Sequence, residues 1–218
     1  MGWSAALAGA LIGSVCAEAI AGPEGAQVVR GQVSISRNGA DTLIRAGNNS
    51  IINYRSFDIA RGESVRFIQP NASSRVLNRI NSAAPTRIDG SLLANGRVYM
   101  VNPAGVIFGQ SAVVNVGGLY AAAGKLSNAD FLRGIDRFTD LSGQVSNYGT
   151  LTADFVTLAG SGVANAGQII SPQGTVVMAS GEDVMVGERS GNLFVKIQGS
   201  AAPQASAGAA VENTGSIA

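Results

Sequence analysis

Hydrophobic and polar residues alternate along this chain in short segments that end at glycine, asparagine or proline. Residues 32–36, QVSIS, place an apolar side chain at every second position, which is the period of a half-buried β-strand. The pair Asn38-Gly39 that follows predicts a two-residue hairpin turn. Further apolar runs continue to residue 123, separated by turn residues at 61–63, 89–90, 95–96, 102–105 and 117–118. The pattern predicts many short strands.

The later part of the chain repeats one unit of strand and turn. The segments GQVSNYGTLTA and SGVANAGQIIS share the pattern Val-x-Asn-x-Gly-x-[Leu/Ile], and their valines, Val145 and Val163, are 18 residues apart (163 − 145). A third copy, AVENTGSIA, follows after a longer gap, with the equivalent residues Val211, Asn213, Gly215 and Ile217. A period near 20 residues indicates a solenoid. Because each unit is strand and turn, residues 143–218 predict a parallel β-helix.

Each coil of such a solenoid stacks on the previous one, with small aliphatic side chains inside. Asparagine at the turns tolerates the left-handed backbone region, and glycine supplies a positive φ. We expect the recurring Asn147, Asn165 and Asn213 to form an amide ladder along the stack. The alternative is a β-sandwich with similar turns. The β-helix is favoured, because a sandwich gives no reason for Asn and Gly to recur in register.

Residues 127–143, SNADFLRGIDRFTDLSG, depart from the strand pattern. Apolar residues stand at helical spacing, and Asp130 lies near the start of the segment. Gly134 weakens a long helix. A short helix and a loop outside the coils are both compatible with the apolar residues Phe131, Leu132, Ile135 and Phe138.

Composition restricts the chemistry. Hydrophobic residues make up 46% of the 218, charged residues 13%, and there are 29 glycines, a profile of strands joined by glycine turns. The net charge of +1 gives no electrostatic footprint for nucleic acid, and solvated surface is the expected place for the scattered Arg55, Arg61, Arg66, Arg75, Arg79 and Arg87. Histidine is absent and Cys16 is the single cysteine, which excludes Ser-His-Asp catalysis, His-ligated zinc and an intrachain disulfide. We expect no catalytic residue, cofactor or metal.

Residues 1–21 predict a signal peptide. An apolar stretch precedes Ala17-Glu18-Ala19 and Ala19-Ile20-Ala21, which both fit the A-x-A cleavage pattern. The N-terminal MGWS lacks the positive charge typical of such signals. Cys16 is interpreted as a small apolar residue of this segment, so the mature chain, residues 22–218, would contain no cysteine.

Residues 32–123 resemble a known family. The segments NSIINYRSFDIARGESVRFIQPNASSRVLNRI and PTRIDGSLLANGRVYMVNPAGVIFGQSAVVNVGGLYA are similar to the N-terminal secretion domain of filamentous-haemagglutinin-like exoproteins, the cargo of two-partner secretion. The family has two hallmark patches. They correspond here to Asn49-Ser50-Ile51-Ile52 and to Asn102-Pro103-Ala104-Gly105, where Ala104 replaces the usual second asparagine.

The resemblance implies an all-β fold: a right-handed parallel β-helix, or solenoid, with an N-terminal cap and small antiparallel extensions. It implies a non-enzymatic domain of an adhesin-type exoprotein, delivered through the periplasm of a Gram-negative-type bacterium to the cell surface or the medium. The implied partner is an outer-membrane β-barrel transporter with periplasmic POTRA domains. A host surface or carbohydrate would be bound through a C-terminal region beyond residue 218. The two hallmark patches are candidates for transporter recognition, and a purely structural role in their turns is the open alternative.

The resemblance also affects the interpretation of VYMVNPAGVIFG. We predict one coil that passes through a tight turn into the next strand, with both strands facing the core; an ordinary hairpin is the alternative. Two rival functions remain. An enzyme on the same fold, such as a polysaccharide lyase, needs clustered carboxylates, whereas the acidic residues here are dispersed. A stand-alone adhesin or carbohydrate-binding module would use an aromatic platform drawn from Tyr54, Tyr99, Tyr120 and Phe131.

Overall fold

The computed structural model describes residues 22–172, 174–189, 192–199 and 210–218. The predicted signal peptide and Cys16 lie outside the described residues. The described chain begins with three short strands: β1 (Pro23–Glu24), β2 (Gln27–Arg30) and β3 (Val33–Asn38).

The following strands wind around a common axis. As far as residue 122 they are β4 (Asp41–Ala46), β5 (Ser50–Tyr54), β6 (Ser56–Phe57), β7 (Ser64–Ile68), β8 (Arg75–Ile80), β9 (Thr86–Ile88), β10 (Ser91–Ala94), β11 (Arg97–Val101), β12 (Val106–Phe108), β13 (Val113–Asn115) and β14 (Gly118–Ala122). Between β14 and β16 the chain leaves the coils in a segment that we call the excursion. It contains α1 (Asn128–Arg133) and β15 (Asp136–Phe138). Winding resumes with β16 (Gln144–Asn147), β17 (Thr150–Thr152), β18 (Phe155–Gly160), β19 (Gly162–Asn165), β20 (Gln168–Ile170) and β21 (Thr175–Ser180). A hairpin of β22 (Asp183–Arg189) and β23 (Asn192–Gln198) precedes the last described strands, β24 (Val211–Asn213) and β25 (Ser216–Ile217).

Each coil passes through three sheets, which we number in the order of passage. Sheet I has the strand order β2-β5-β8-β11-β14-β18-β21, sheet II β9-β12-β16-β19-β24, and sheet III β3-β4-β7-β10-β13-β17-β20-β25. Apart from β2 and β3, neighbouring strands in these sheets are parallel. The predicted parallel β-helix is confirmed, and the β-sandwich alternative is wrong.

Equivalent residues of the internal sequence repeat pair with each other in successive coils. In sheet II, Val145 pairs with Val163 and Val163 with Val211. The chain reaches the same positions again because each intervening stretch is one full coil, lengthened before Val211 by the β22–β23 hairpin. The segment VYMVNPAGVIFG behaves as predicted: β11 lies in sheet I and β12 in sheet II, so the two strands do not form a hairpin.

The N-terminal strands form a cap on the first coil. β1 pairs antiparallel with β6, β2 with β5, and β3 with β4, so each side of the coil receives one antiparallel strand. Such pairing covers the edges of the first coil and leaves β2 and β3 as the outermost strands of sheets I and III. The turn between β3 and β4 differs from the prediction by one residue. Asn38 pairs with Asp41, so the two-residue loop is Gly39-Ala40, and Gly39 takes the positive φ of +56°.

Two hydrophobic clusters hold the molecule together. The first fills the interior of the coils with residues such as Val98, Leu119 and Val156, which stack directly on one another in sheet I. The second covers the outer surface of sheet I and includes Tyr99 and Tyr120 beneath α1, β15 and β22. The molecule is thus a β-helix with one of its three outer surfaces covered.

The excursion contains both of the structures that its sequence allowed. A short helix, α1, begins where the Ser127 hydroxyl accepts from the Asp130 amide, at 3.0 Å, and ends at Gly134, whose φ is +73°. These are an ordinary N-cap and a left-handed C-cap. The segment around it lies outside the coils and packs Phe131 and Phe138 against sheet I, both fully buried. Among the described ranges no helix is long and apolar enough to cross a membrane.

Candidate recognition site

The first hallmark patch lies at the start of β5. Asn49 has a φ of +57°, a left-handed conformation that asparagine adopts more readily than most residues. The buried Ser50 hydroxyl donates to the Gly47 carbonyl at 2.8 Å and closes the turn. Ile51 points outward into the cluster over sheet I, and Ile52 points into the coils. Of the four residues of the patch, only Asn49 is partly exposed.

The exposed part of this patch holds an arginine from the next coil. The Asn49 Oδ1 atom accepts from the Arg75 guanidinium at 3.2 and 2.7 Å, and the Asn48 Oδ1 atom accepts from the Arg75 amide at 3.0 Å. The guanidinium then lies 5.1 Å from the centre of the Phe131 ring in α1. Asn49 therefore positions the cation that contacts the helix of the excursion.

A second pair of residues repeats this arrangement four positions along the same strands. Asn53 accepts from Arg79 at 3.2 Å, and Arg79 donates to the Leu126 carbonyl at 2.7 Å and to Asn128 at 2.8 Å. Arg75 and Arg79 are half-buried, so the prediction of solvated surface is wrong for these two arginines. The sequence analysis missed them because their partners lie 26 to 49 residues away.

The second hallmark patch is a tight turn between sheets I and II. The Gly105 amide donates to the Asn102 carbonyl at 2.9 Å, and the Asn102 side chain accepts from the Ala104 amide at 2.9 Å. The same side chain donates to the Ala84 carbonyl at 3.0 Å and to the Thr86 hydroxyl at 3.1 Å in the previous coil. Asn102 is fully buried, whereas Pro103 and Ala104 are half-buried.

Glycine is needed at the last position of this turn. Gly105 has a φ of +125°, and a Cβ atom there would lie 2.9 Å from the Gln144 carbonyl oxygen of the next coil. Ala104, which departs from the family pattern, contributes its amide to the turn and presents its side chain at the half-exposed tip. The turn is complete without a second asparagine, because Asn102 supplies the side-chain hydrogen bonds.

The two hallmark patches lie at opposite ends of the sheet I strands. Asn49 precedes β5 and Asn102 follows β11, and these strands run parallel with β8 between them. The patches are therefore separated by the length of a strand. The structure does not bring them together into one pocket.

The comparisons with known proteins fit this fold. The model of the TPS secretion domain family matches residues 19–218. The chain belongs to this family. The secretion domain is 37% identical over 153 residues to a heme/hemopexin-binding protein of Haemophilus influenzae strain Rd, a match covering 65% of this chain and 17% of the relative. A second heme/hemopexin-binding protein of Haemophilus influenzae is 40% identical over 101 residues, covering 45% of this chain and 11% of that protein.

A solved structure supports the same assignment. The crystal structure of the HMW1 secretion domain from Haemophilus influenzae matches with a TM-score of 0.78 and 29% identity, covering 90% of this chain and 53% of that one. The family consists of secretion domains of exoproteins and is not an enzyme family. The chain spans less than a fifth of the length of the two curated relatives.

Pro103 of the secretion domain lies beside two cavities. One of about 510 Å³ lies toward Asp140 and Glu182, and one of about 340 Å³ lies toward Arg79 and Ser127. Pro103 and Lys125 line both cavities. Lys125 also forms an ion pair with Asp140 at 3.0 Å on the surface. The exposed tip of the second hallmark patch thus stands in a groove of mixed charge.

The three ladder asparagines stack at the end of the sheet II strands. Asn147 Nδ2 donates to Asn165 Oδ1 at 2.8 Å, and Asn165 Nδ2 donates to Asn213 Oδ1 at 2.7 Å. Asn147 and Asn165 are buried. Each amide therefore donates to the next coil in the same direction.

A column of serines, which the sequence analysis missed, begins at the second hallmark patch. Ser142 donates to the Pro103 carbonyl at 3.3 Å, Ser161 to the Ser142 carbonyl at 3.1 Å, and Ser180 to the Ser161 carbonyl at 2.8 Å. The serines recur every 19 residues (161 − 142 and 180 − 161), so the signal was present in the sequence. The column connects the turn to the later coils.

A half-buried carboxylate joins the excursion to sheet I. The Tyr99 hydroxyl donates to Asp136 Oδ1 at 2.9 Å, and the Tyr99 and Tyr120 rings stack with centres 4.2 Å apart. Burial raises the pKa of the Asp136 carboxyl, against the opposing effects of the Tyr99 hydrogen bond and of Arg75 and Arg97. Burial also raises the pKa of the Tyr99 phenol, with a further contribution from Asp136.

The rival functions receive no support from the placement of their residues. Tyr54, Tyr99, Tyr120 and Phe131 are all buried, so these rings do not form a platform for a sugar. Within the described ranges, His, Cys, Asp and Glu residues do not form a group of three suited to a metal ion.

Proposed function

We propose that this chain is the export module of a larger exoprotein and that an outer-membrane β-barrel transporter with POTRA domains recognises it. The match to the secretion-domain family over residues 19–218 carries this proposal. In this proposal residues 1–21 direct export to the periplasm of a Gram-negative-type bacterium and are removed. The module then crosses the outer membrane and delivers the exoprotein to the cell surface or the medium, without catalysis.

The fold suits a route that offers no ATP. A chain that crosses the outer membrane must thread through the transporter largely unfolded, and residues 22–218 contain no cysteine that could lock this module by an internal disulfide beforehand. Coils that contact only their neighbours can form one after another outside the cell. The N-terminal cap gives this winding a defined first coil, so the module also nucleates folding of the β-helix.

We propose that the POTRA domains contact the exposed parts of the two hallmark patches on the folded module, before the chain unfolds and threads through the barrel. On the first patch this is Asn49 with its partner Arg75, and on the second it is the tip formed by Pro103 and Ala104. The buried members, Ser50, Ile51, Ile52, Asn102 and Gly105, act by fixing those exposed groups. Main-chain pairing of a POTRA strand with an open edge of the domain would add affinity.

The test is binding of the purified domain to the POTRA region of a two-partner-secretion transporter encoded in the same genome. Ala104→Glu places a charge on the half-exposed tip, and we expect it to weaken binding by about tenfold, the effect of roughly 1.4 kcal/mol, with an unchanged thermal midpoint. The matched control is Gln110→Glu, which adds the same charge at an exposed corner beyond β12. Equal affinity of both variants and the unaltered domain would exclude the turn as a contact. Absence of binding by the unaltered domain would contradict the proposed function itself.

The names of the relatives do not extend this proposal. Two of them are called heme/hemopexin-binding proteins, but this chain corresponds to 17% and 11% of their lengths. An adhesive or ligand-binding activity is therefore proposed for a region outside residues 22–218. In this proposal that region, and not the secretion domain, would bind a host surface or a carbohydrate.

A further inference from the structure

Arg79 of β8 is a half-buried cation that has no carboxylate partner among the described residues. Its guanidinium donates to the Asn53 side chain, the Leu126 carbonyl and the Asn128 side chain, and all three acceptors are uncharged. Arg75 on the same strand differs, because it acts on the Asp136 carboxylate and opposes the rise in the pKa of that group. The positive charge of Arg79 is therefore held by neutral groups alone.

A cation in this position is expensive for the fold unless an anion joins it. Burial lowers the pKa of the Arg79 guanidinium, so its surroundings oppose the charge. Charges away from water are normally paired with an opposite charge. A guanidinium has five N–H donors, and three bonds leave two of them (5 − 3) without an acceptor in the part of the chain that the structure describes. Arg79 thus keeps both its charge and two donors for a further ligand.

Arg79 lines the cavity of about 340 Å³ beside Pro103. Lys125 is a second cation of the lining, and the described lining residues include no aspartate or glutamate. The other walls combine polar and apolar side chains, from Asn81, Pro103, Leu126, Ser127 and Thr139. A volume at the lower end of the range for ligand pockets suits one or two side chains of a partner rather than a large molecule.

The cavity of about 510 Å³ on the other list of Pro103 neighbours has the opposite charge. Asp140, Glu182 and Asp183 line it together with Lys125. The ion pair of Lys125 with Asp140, at 3.0 Å, offsets the charge of this lysine, so Arg79 provides the uncompensated charge of the smaller cavity. An acidic side chain that reaches Pro103 is therefore attracted by the smaller cavity and repelled by the larger one.

We propose that the 340 Å³ cavity receives an aspartate or glutamate side chain of the POTRA region, and that its carboxylate binds Arg79. The carboxylate accepts from the remaining N–H donors of the guanidinium, in the charge-assisted hydrogen bonding that favours arginine at such sites. Lys125 adds to the attraction from the opposite part of the lining. This inference rests on the proposed function and deepens it, because it names the chemistry that the transporter presents to the tip at Pro103.

Arg79 also holds the excursion, so its own removal would disturb the fold, and Asn128 offers a cleaner test. Asn128→Asp keeps the acceptor that lies 2.8 Å from the guanidinium and converts it into a carboxylate. The new ion pair within the domain satisfies the charge of Arg79, so the thermal midpoint should stay the same or rise. The affinity for the POTRA region of the transporter encoded in the same genome should nevertheless fall about tenfold or more, because the carboxylate of the partner meets a neutralised cation.

The matched control is Asn115→Asp, the same substitution at an exposed position of β13 in sheet III. Its affinity should stay within about twofold of that of the unaltered domain, since an isolated surface charge has little effect. Equal affinity of Asn128→Asp and the unaltered domain would overturn the inference. An equal loss in both variants would overturn it as well, because the added negative charge alone would then explain the result.

A double-mutant cycle identifies the carboxylate on the partner. Each acidic residue of the POTRA region is replaced in turn by its amide, and one replacement should weaken binding of the unaltered domain while leaving binding of Asn128→Asp unchanged. If every replacement affects the two domains equally, no carboxylate binds Arg79 and the inference is wrong. Failure of the unaltered domain to bind would contradict the proposed function and this inference together, whereas binding that is insensitive to these variants overturns this inference alone.

Discussion

At the scale of single residues, the hallmark asparagines act through the groups that they hold. Asn102 satisfies a carbonyl, a hydroxyl and an amide in two successive coils while being fully buried. Asn49 supplies the acceptor that orients Arg75 toward α1. Buried polar groups with complete partners fix one arrangement of the backbone, because leaving any of them unpaired is costly.

Substitution of Asn102 by alanine tests this role. Asn102→Ala should lower the free energy of unfolding by about 2–3 kcal/mol, because it removes the hydrogen bonds of a fully buried amide to the Ala84 carbonyl and to the buried Thr86 hydroxyl. The measurement is a urea titration followed by circular dichroism. Ala104→Asn, which restores the usual family residue at the half-exposed tip, is the control, with an expected change within about 0.5 kcal/mol. A similarly small change for Asn102→Ala would contradict the structural role.

At the scale of elements, the excursion is attached to the coils by a few specific contacts. Arg75 and Arg79 contact it from β8, through the Phe131 ring and the Leu126 carbonyl, and Asp136 accepts from Tyr99 of β11. Phe131 and Phe138 fill the surface between those contacts. The attachment depends on coils that lie early in the chain, so the excursion docks only on a surface that has already formed.

The half-buried carboxylate of Asp136 makes this attachment dependent on pH. Burial raises the pKa of Asp136 above its ordinary value of 3.8, so the folded protein holds the proton more tightly than the unfolded chain. Its stabilising contribution is therefore fully present below pH 3.8 and is lost as the pH rises through the folded pKa. Asp136→Asn keeps the acceptor for Tyr99 and removes the charge. We expect its thermal midpoint, relative to the unaltered protein, to increase over this pH range and then to stay constant.

The control for this experiment is Asp140→Asn. Asp140 lies on the surface of the same excursion, with its side chain 65% exposed, and asparagine tolerates its φ of +53°. Its thermal midpoints across the same buffers give the baseline for removing a charge from the exposed surface of the excursion. A midpoint difference for Asp136→Asn that does not change with pH would contradict the proposed cause.

At the scale of the whole molecule, the two ends of the described β-helix differ, because the antiparallel cap strands pair with the first coil. The first coil has an antiparallel strand on each of its three sides. At the other end β21, β24 and β25 are the outermost strands among the described residues. The first end is thus bounded by antiparallel strands from outside the coils, whereas the other end presents parallel strands of the coils themselves.

Removal of the cap tests this asymmetry. A chain that begins at residue 39, and so lacks β1 to β3, exposes the edges of β4, β5 and β6. We expect it to form oligomers or aggregates at concentrations where the chain beginning at residue 22 keeps its mass, measured by size-exclusion chromatography with light scattering. Val28→Lys changes an exposed side chain of β2 and keeps the backbone pairing of that strand. This variant should keep the same mass as the unaltered chain that begins at residue 22. A truncated chain with unchanged mass and circular dichroism would contradict the protective role.

The sequence alone determined the repeating part of this protein. Val145, Val163 and Val211 come into register because turn residues and alternating apolar positions act locally, and each coil repeats the same local rules. The family resemblance gave the fold, the cap and the two patches. A local rule also explains the error at Gly39-Ala40, since both pairs of residues satisfy the turn pattern and only the pairing of β3 with β4 selects one.

Only the tertiary structure decided how distant segments meet. The contacts of Asn49 with Arg75 and of Tyr99 with Asp136 join residues 26 and 37 positions apart, on different coils and on an excursion between coils. Their partners depend on the summed length of every turn in between, which no local pattern encodes. The two hallmark patches lie at opposite ends of the sheet I strands because one precedes a strand and the other follows a strand two coils later. This separation also depends on the lengths of the turns in between.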